Sequence, residues 1–323
     1  SIKSLDPKIK KSIDFAYSRI FKFHSLQKTK NIKYIDQYKN KIEYKRVPIQ
    51  KVGVYVPANL PSTLLMNVIP AKIAGVKRIV VANPIVNGNL NAAVMYAAKK
   101  CDVKEIITCG GAQAIGSLAY IQQVNKITGP GNNYVAKAKQ LVFGDVGIES
   151  MIAGPSEICV IADNKTELNE IITSLLGQSE HDKNSQSILV TKYKDLINKV
   201  QKNLNINLKK LSRKTIISKS LKNHGLIVLC QNDNQIIDVI NEIAPEHLEL
   251  NISNYKKYIS KIYNAGSICI GKYSPMAVSD YNVGSNHTLP TLGSAKFSSG
   301  LNLSDFYKKI SYITLSKKGV EKI

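Results

Sequence analysis

The sequence predicts an α/β fold made of two facing, doubly wound parallel-sheet units of the incomplete Rossmann-like kind. Three observations carry that expectation. Short apolar strand-like runs alternate with longer helical runs along most of the chain, the pattern of a parallel sheet with helical crossovers. Glycine clusters sit where a strand passes into a helix, at "CGGAQA" (109–114) and "GPGNN" (129–133). A Gly- and Pro-rich stretch at 144–155 divides the alternation into two halves. The 323 residues accommodate two domains of roughly 150 residues each.

Residues 5–24 place Leu5, Ile9, Ile13, Ala16, Ile20 and Phe23 on one stripe of an amphipathic helix. A Lys- and Tyr-rich segment, 27–47, follows. "KVGVYVP" reads as a strand ended by Pro57. "STLLMNVIPAKIAGV" reads as a helix, with Ser62 as N-cap and Gly75 as stop. "RIVVANP" is a strand, 89–100 a helix and "EIITC" a strand. "GGAQAIGSLAYI" opens a helix on two glycines. "KITGPG" runs from strand into loop, and "NNYVAKAKQLVFG" is a helix. The second half gives the strand "ICVIAD", a helix over 164–181, the strand "SILVT" and a helix over 194–206. The strand "GLIVLC", a helix over 233–243 and the strand "GSICIG" follow. Ligands in such folds bind beyond the carboxyl ends of the strands.

Composition narrows the function classes. The net charge of +22 invites a nucleic-acid reading, yet only four of the 45 basic residues are arginines (Arg19, Arg46, Arg78, Arg213). Arginine is the side chain favoured for bidentate phosphate and base recognition. The lysines are scattered and form no basic stripe interleaved with aromatic residues, so neither nucleic acid nor membrane is an expected partner. No apolar run reaches the roughly 18 residues of a transmembrane helix. The first 20 residues lack the apolar core of a signal peptide, and a cytoplasmic location is expected. The five cysteines, Cys101, Cys109, Cys159, Cys230 and Cys269, show no C-x-x-C spacing and read as free thiols.

The chemistry concentrates in a few strings. In "LLGQSEHDKNSQSILVT" (175–191), Gln178 and His181 are i and i+3 and share a face if the helix runs that far. An amide oxygen and an imidazole could then meet one metal ion; a solvated polar helix end is the plain alternative. The glycines of "GPGNN" and "CGGAQA" let a backbone approach a phosphate. Neither string is a full dinucleotide fingerprint, and tight turns explain them equally well. In "IAPEHLEL" (243–250), Glu246 and His247 are adjacent and point different ways on a helix, so they could serve two proton transfers at one substrate. The polar segment 277–301 carries Asp280 and His287 and is too long for a plain connection. "AGPSE" adds Ser156 and Glu157. Together a Gln oxygen, imidazoles and a carboxylate form a set that suits Zn²⁺. Three of the five histidines fall in these clusters; His24 and His224 do not.

The strings "VGVYVP", "LLMNVIPAKIAGV", "GGAQAIGSLAY", "GPGNNYVAKAKQLVFG", "MIAGPSE", "GQSEHDKNSQ", "APEHLEL" and "DYNVGSNHTLPT…FSSGL" resemble histidinol dehydrogenase, in order, over about residues 50 to 312. The resemblance implies oxidation of L-histidinol through L-histidinal to L-histidine with two NAD, in a zinc-dependent cytoplasmic homodimer. It implies metal ligands at Gln178, His181 and Asp280, and an acid/base pair at Glu246 and His247. Substrate contacts are implied at Ser156, Gln178, His181, His247, Asp280 and His287, and NAD contacts at Tyr55, Gln113 and Asn132. The implied division joins 1–54 to 155–300 as the substrate and zinc domain. It gives 55–154 the NAD contacts and leaves 301–323 as the remnant of a C-terminal tail. Three departures stand out. Ala58 and Asn59 replace the glycine pair usual after "YVP". The N-terminal part is short against the family pattern. No histidine follows His287, whereas the family tail carries a fourth zinc ligand and a substrate-binding glutamate, so a shortened chain with a weakened dimer is expected. A homologue that binds ligand without turnover, and a basic nucleic-acid-binding protein, are the alternatives.

Overall fold

The computed structural model of the protein describes residues 2–149 and 154–322; residues 151–153 of the "MIAGPSE" string lie outside them. Helix α1 (Pro7–Ser25) begins where Asp6 accepts a hydrogen bond from the Lys8 amide at 2.7 Å and Pro7 fills the first turn. Strands β1 (Ile32–Ile35) and β2 (Lys41–Pro48) form an antiparallel hairpin inside the Lys- and Tyr-rich segment. Neither strand has a fully buried face, so no apolar alternation announces the hairpin in the sequence. Strand β3 (Lys51–Tyr55) leads to α2 (Pro61–Ala74). That helix starts at Pro61 and not after Ser62, because the fixed φ of proline suits a first helical turn. It stops, as expected, on Gly75 at φ 89°. Then come β4 (Arg78–Ala82), α3 (Ala92–Lys100), β5 (Glu105–Ile107), α4 (Gly111–Gly116), β6 (Lys126–Thr128), α5 (Asn133–Val142) and the short β7 (Gly147–Ile148).

The second half runs β8 (Glu157–Ala162), α6 (Leu168–Ser179), β9 (Gln186–Thr191), α7 (Lys194–Leu208), α8 (Lys214–His224), β10 (Gly225–Leu229) and α9 (Asp233–Ile243). It continues with β11 (His247–Asn251), α10 (Lys256–Ile259), β12 (Ser267–Ile270) and α11 (Met276–Tyr281). Strand β13 (Tyr307–Thr314) and α12 (Lys317–Val320) follow. Helix α8 and strand β11 have no counterpart in the sequence expectation. In β11 only Leu248 and Leu250 of five residues are apolar, so this central strand lacks the continuous apolar run of its neighbours.

The chain divides into two compact units. The first comprises 1–130, 137–149 and 302–323; the second comprises 131–136 and 150–301. The expected grouping of 1–54 with 155–300 is therefore corrected. Strand β3 pairs in parallel with both β4 and β6, and α1 packs on α2, which ties those residues to the first unit. The segment 301–323 is not a loose remnant either: β13 pairs with β2 along its whole length, from Tyr307 opposite Pro48 to Thr314 opposite Lys41.

The first unit holds a parallel sheet in the order β5-β4-β3-β6-β7, a doubly wound order with its switch point between β3 and β6. Val52, Val54, Val80, Val81 and Ile127 fill its centre. Just past β6, Gly129 adopts φ +113°, and a Cβ there would lie 2.1 Å from the Tyr55 carbonyl oxygen. The buried Lys139 donates to the Gly129 carbonyl and pairs with the buried Glu149, pinning this close approach. Gly129→Ala is expected to destabilise the protein by more than about 1–3 kcal/mol, since left-handed strain adds to a backbone clash. Thermal denaturation of the variant checks it; an unchanged Tm would mean that the strand ends can move apart freely.

The second unit repeats the order: β10-β9-β8-β11-β12, all parallel. β8 is buried along its whole length, because helices cover both faces of the sheet. One apolar layer joins Ile158, Val160 and Leu189 to α6, α7 and α8. The other joins Cys159, Ile161, Leu248 and Leu250 to α9. All five cysteines are free and four are buried, as the lack of spacing suggested. Among the described residues no helix is long and apolar enough to cross a membrane.

Candidate active site

The second unit gathers its reactive side chains at the amino ends of its strands, not at the carboxyl ends where the fold class directs attention. Ser156 and Glu157 stand at the start of β8, and Glu246 and His247 at the start of β11, the two strands that pair across the switch point. Glu246 lies in the bend just before β11 and His247 is the strand's first residue; where a helix would turn the two side chains apart, here they converge. Glu246 is 6% exposed and His247 4%.

Distances define the cluster. The Glu157 amide donates to Glu246 Oε2 at 2.8 Å. His247 Nε2 lies 3.9 Å from Glu246 Oε1 and 3.6 Å from Asp280 Oδ1. His287 Nδ1 lies 3.0 Å from the Asp280 carbonyl oxygen, so His287 braces the end of α11 from the following loop. Glu157 in turn accepts from the Leu292 amide at 3.1 Å, and Thr291 Oγ1 accepts from the Gly154 amide at 2.7 Å. These bonds fasten the long 277–301 segment to the start of β8, and explain why so polar a stretch is ordered.

Gln178 and His181 come from the end of α6 and the turn that follows it. Helix α6 ends at Ser179, two residues short of the expected 181, but Glu180 keeps helical dihedrals and the His181 amide donates to the Gln178 carbonyl at 3.2 Å. The i, i+3 relation survives through that turn. Gln178 is 1% exposed, while His181 reaches the surface. A cavity of about 540 Å³ lies against His181, Ser156 and Asn132, with Asp182 and Asn184 on its wall. It brings together one candidate each from the implied metal, substrate and cofactor sets. Asn132 also caps α5, its Oδ1 accepting from the Tyr134 and Val135 amides at 3.1 Å.

Burial sets the electrostatics. It pushes the Asp280 carboxyl up to about 7 and the Glu246 carboxyl well above its ordinary range, the latter helped by Asp280 and Glu157. Burial brings His247 down to about 3 and His287 down to about 4, with neighbouring imidazoles adding to both shifts. His181 is also lowered, first by desolvation. His181, His247 and His287 thus lie close enough to feel one another's charge. The pocket as it stands favours neutral imidazoles and neutral acids, the state that burial dictates where no cation is present.

The donor set fits a cation. Among the described residues, both polar atoms of Gln178, Asp280 Oδ1 and His247 Nδ1 are buried and have no hydrogen-bond partner. Buried polar atoms are rarely left so, and here three of them belong to two candidate metal ligands, Gln178 and Asp280, and the fourth to the acid/base candidate His247. Among the described residues no group of three or more His, Cys, Asp and Glu side chains is gathered as a metal centre. A set of one amide, one imidazole and one carboxylate contains only two of those residue types.

Tyr55 and Gln113 belong to the first unit. Tyr55 ends β3 at that unit's switch point, and its hydroxyl accepts from the Gly111 amide at 3.3 Å. Gln113 sits exposed in the first turn of α4, after the glycine pair of "CGGAQA". Here the carboxyl-end rule holds. Sequence reasoning singled out neither Glu249, 1% exposed in the middle of β11, nor the anchoring role of Glu157. The signal available for Glu249 was a lone acid inside "HLELN", in register with His247 two residues earlier.

The whole chain, residues 1–323, matches the family model described as histidinol dehydrogenase. It is 57% identical over 328 residues to histidinol dehydrogenase of Pelagibacter ubique, covering 99% of this chain and 77% of that one. It is 42% identical over 330 residues to the Acinetobacter baylyi protein of the same name, covering 100% and 76%. The crystal structure of histidinol dehydrogenase from Elizabethkingia anophelis superimposes with a TM-score of 0.94 at 38% identity, covering 100% of this chain and 76% of that one. With the whole of this chain matched by the family model and the fold reproduced at that level, this chain belongs to the histidinol dehydrogenase family.

Proposed function

We propose that the chain oxidises L-histidinol through L-histidinal to L-histidine, the last two steps of histidine biosynthesis, with two NAD and one water. The observation that carries the reading is the buried cluster of Glu246, His247 and Asp280, together with a buried Gln178 whose polar atoms have no partner among the described residues. Gln178, His181 and Asp280 would hold Zn²⁺, and Tyr55, Gln113 and Asn132 would contact NAD. When bound, the metal orients the substrate through its imidazole and amine, and the nicotinamide accepts one hydride in each oxidation.

The protein's own groups then do the following. His247, neutral in its buried setting, takes the hydroxyl proton as the alcohol carbon gives up its hydride. The aldehyde formed needs water. Glu246 takes a proton from that water as its oxygen bonds to the carbonyl carbon; its ionised form, which a cation in the pocket would favour, is a stronger base than an exposed carboxylate because burial raises its pKa. The carbonyl oxygen takes the proton held on His247 to complete the diol, which then gives up its one carbon-bound hydrogen as hydride while His247 again takes a hydroxyl proton. Ser156 and His287 line the substrate. No thiol is required, in keeping with the free cysteines, four of them buried.

We also propose the homodimer that the family resemblance implies. Exposed apolar side chains on β1 and β13, Ile32, Tyr34, Ile35 and Ile313 among them, support it. The test of the main reading is NADH formation from L-histidinol and NAD with added Zn²⁺. Two NADH per histidinol are expected, with loss of activity on chelation and recovery on zinc. No reduction of NAD in the presence of zinc overturns the reading.

A further inference from the structure

We infer that Glu249 is a positioning residue: its carboxylate holds α6 and α11 on β11 so that Gln178, Asp280 and His247 meet at one site. The inference rests on the metal and substrate reading of those residues given above, and adds a residue that none of it contains.

Glu249 lies on β11 two residues after His247, on the same face of the strand. Leu248 and Leu250, on the other face, pack against α9. Glu249 is turned instead toward the layer that holds α6 and α11. Its Oε2 accepts from Ser174 Oγ at 2.7 Å, and its Oε1 from the Met276 amide at 2.7 Å. Asn251 Nδ2 adds a longer bond to Oε2, at 3.3 Å. Ser174 is on α6, one turn before Gln178. Met276 opens α11, one turn before Asp280. Residues four apart share a helix face. Each anchor is therefore one structural repeat from a site residue: four residues along α6, four along α11 and two along β11.

The chemistry of Glu249 argues that these bonds are its purpose. The residue is 1% exposed, and among the described residues no cation pairs with it. A buried carboxylate without a counter-charge costs stability, and an apolar residue of similar volume would fill the space more cheaply. What an apolar residue cannot do is accept, at once, from a side chain on one helix and a main-chain amide on another. A site whose members come from separate elements needs such a tie, since ligand groups displaced by a fraction of an ångström lose metal affinity.

The test compares parent, E249Q, E249M and S174A by Zn²⁺ competition titration and by the visible spectrum of bound Co²⁺, with Tm measured alongside. E249M is expected to weaken metal binding about 10–100-fold while Tm holds or rises. E249Q keeps one acceptor and should fall between parent and E249M; S174A, which frees α6 alone, should lose less than E249M. Unchanged metal affinity in E249M overturns the inference. A loss of affinity that tracks a fall in Tm through the series overturns it too, because Glu249 would then be serving only the fold. A parent chain that takes up neither metal overturns the metal reading instead. In that case the imidazole resonances of His247 and His287 in the metal-free proteins decide: displaced by E249M, the positioning role stands; unmoved, it falls.

Discussion

His247→Asn is expected to lower kcat for both oxidations about 10³-fold, within the range for loss of a positioned acid–base group. That is about 4 kcal/mol of barrier at the chemical step. The expectation follows from where the imidazole sits. Burial keeps it unprotonated, its Nδ1 has no partner, and Asp280 and Glu246 lie within 4 Å of its Nε2. An unprotonated imidazole with an open ring nitrogen can receive a proton, and Asn cannot. The fold should survive, because the replaced ring gives up no short hydrogen bond. Single-turnover rates with alcohol and with aldehyde, beside thermal denaturation, read the two effects separately. A variant within tenfold of the parent at intact Tm would show that another group takes the proton.

Glu246→Gln is expected to divide the two half-reactions. Oxidation of the aldehyde should slow about 10²–10³-fold, because the amide cannot activate water, while oxidation of the alcohol slows far less. Equal losses in both would remove the special role of Glu246 in hydration. The same substitution should stabilise the metal-free protein at neutral pH. Burial raises the folded-state pKa of Glu246 above its unfolded value. Between the two values the folded state binds more protons than the unfolded, so the group's contribution falls as pH rises through that window. The amide carries no such titration. The Tm advantage of the variant should therefore widen as pH climbs from the ordinary carboxylate range toward neutrality. An advantage that stays flat with pH would place the stabilisation elsewhere.

How much of this was visible in the sequence depends on which physical signal each part leaves. The parallel sheets announced themselves, because strands covered on both faces must be continuously apolar, as in "ICVIA" and "SILVT". Gly75 marked a helix end because only glycine takes its dihedral freely. The β1–β2–β13 sheet left no such mark, since most of its residues face solvent. The reactive residues were legible as types and spacings, and the family pattern ordered them. The end of the sheet they occupy was not, because nothing local to "PSE" or "PEHL" says which end of a strand will meet α6. Glu249 was hidden for a different reason. Its meaning lies in two hydrogen bonds to elements 75 and 27 residues away.

The pairing of β13 with β2 also bears on how the chain acquires its structure during synthesis. All the residues of the second unit leave the ribosome before Tyr307 can meet Pro48. At about 5–20 residues per second, the second unit has many seconds in which to close its own sheet. The first unit meanwhile waits with β2 open along one edge. Joining strands so distant in sequence carries a loop-closure cost that grows only with the logarithm of the separation. A folded insert lowers it further by bringing its two ends to fixed places. Until the last strand docks, the exposed Ile42 and Tyr44 lie on an unpaired edge, the kind that other chains can extend. A nascent chain stalled before residue 307 should therefore be more prone to strand-mediated association than one stalled after residue 314.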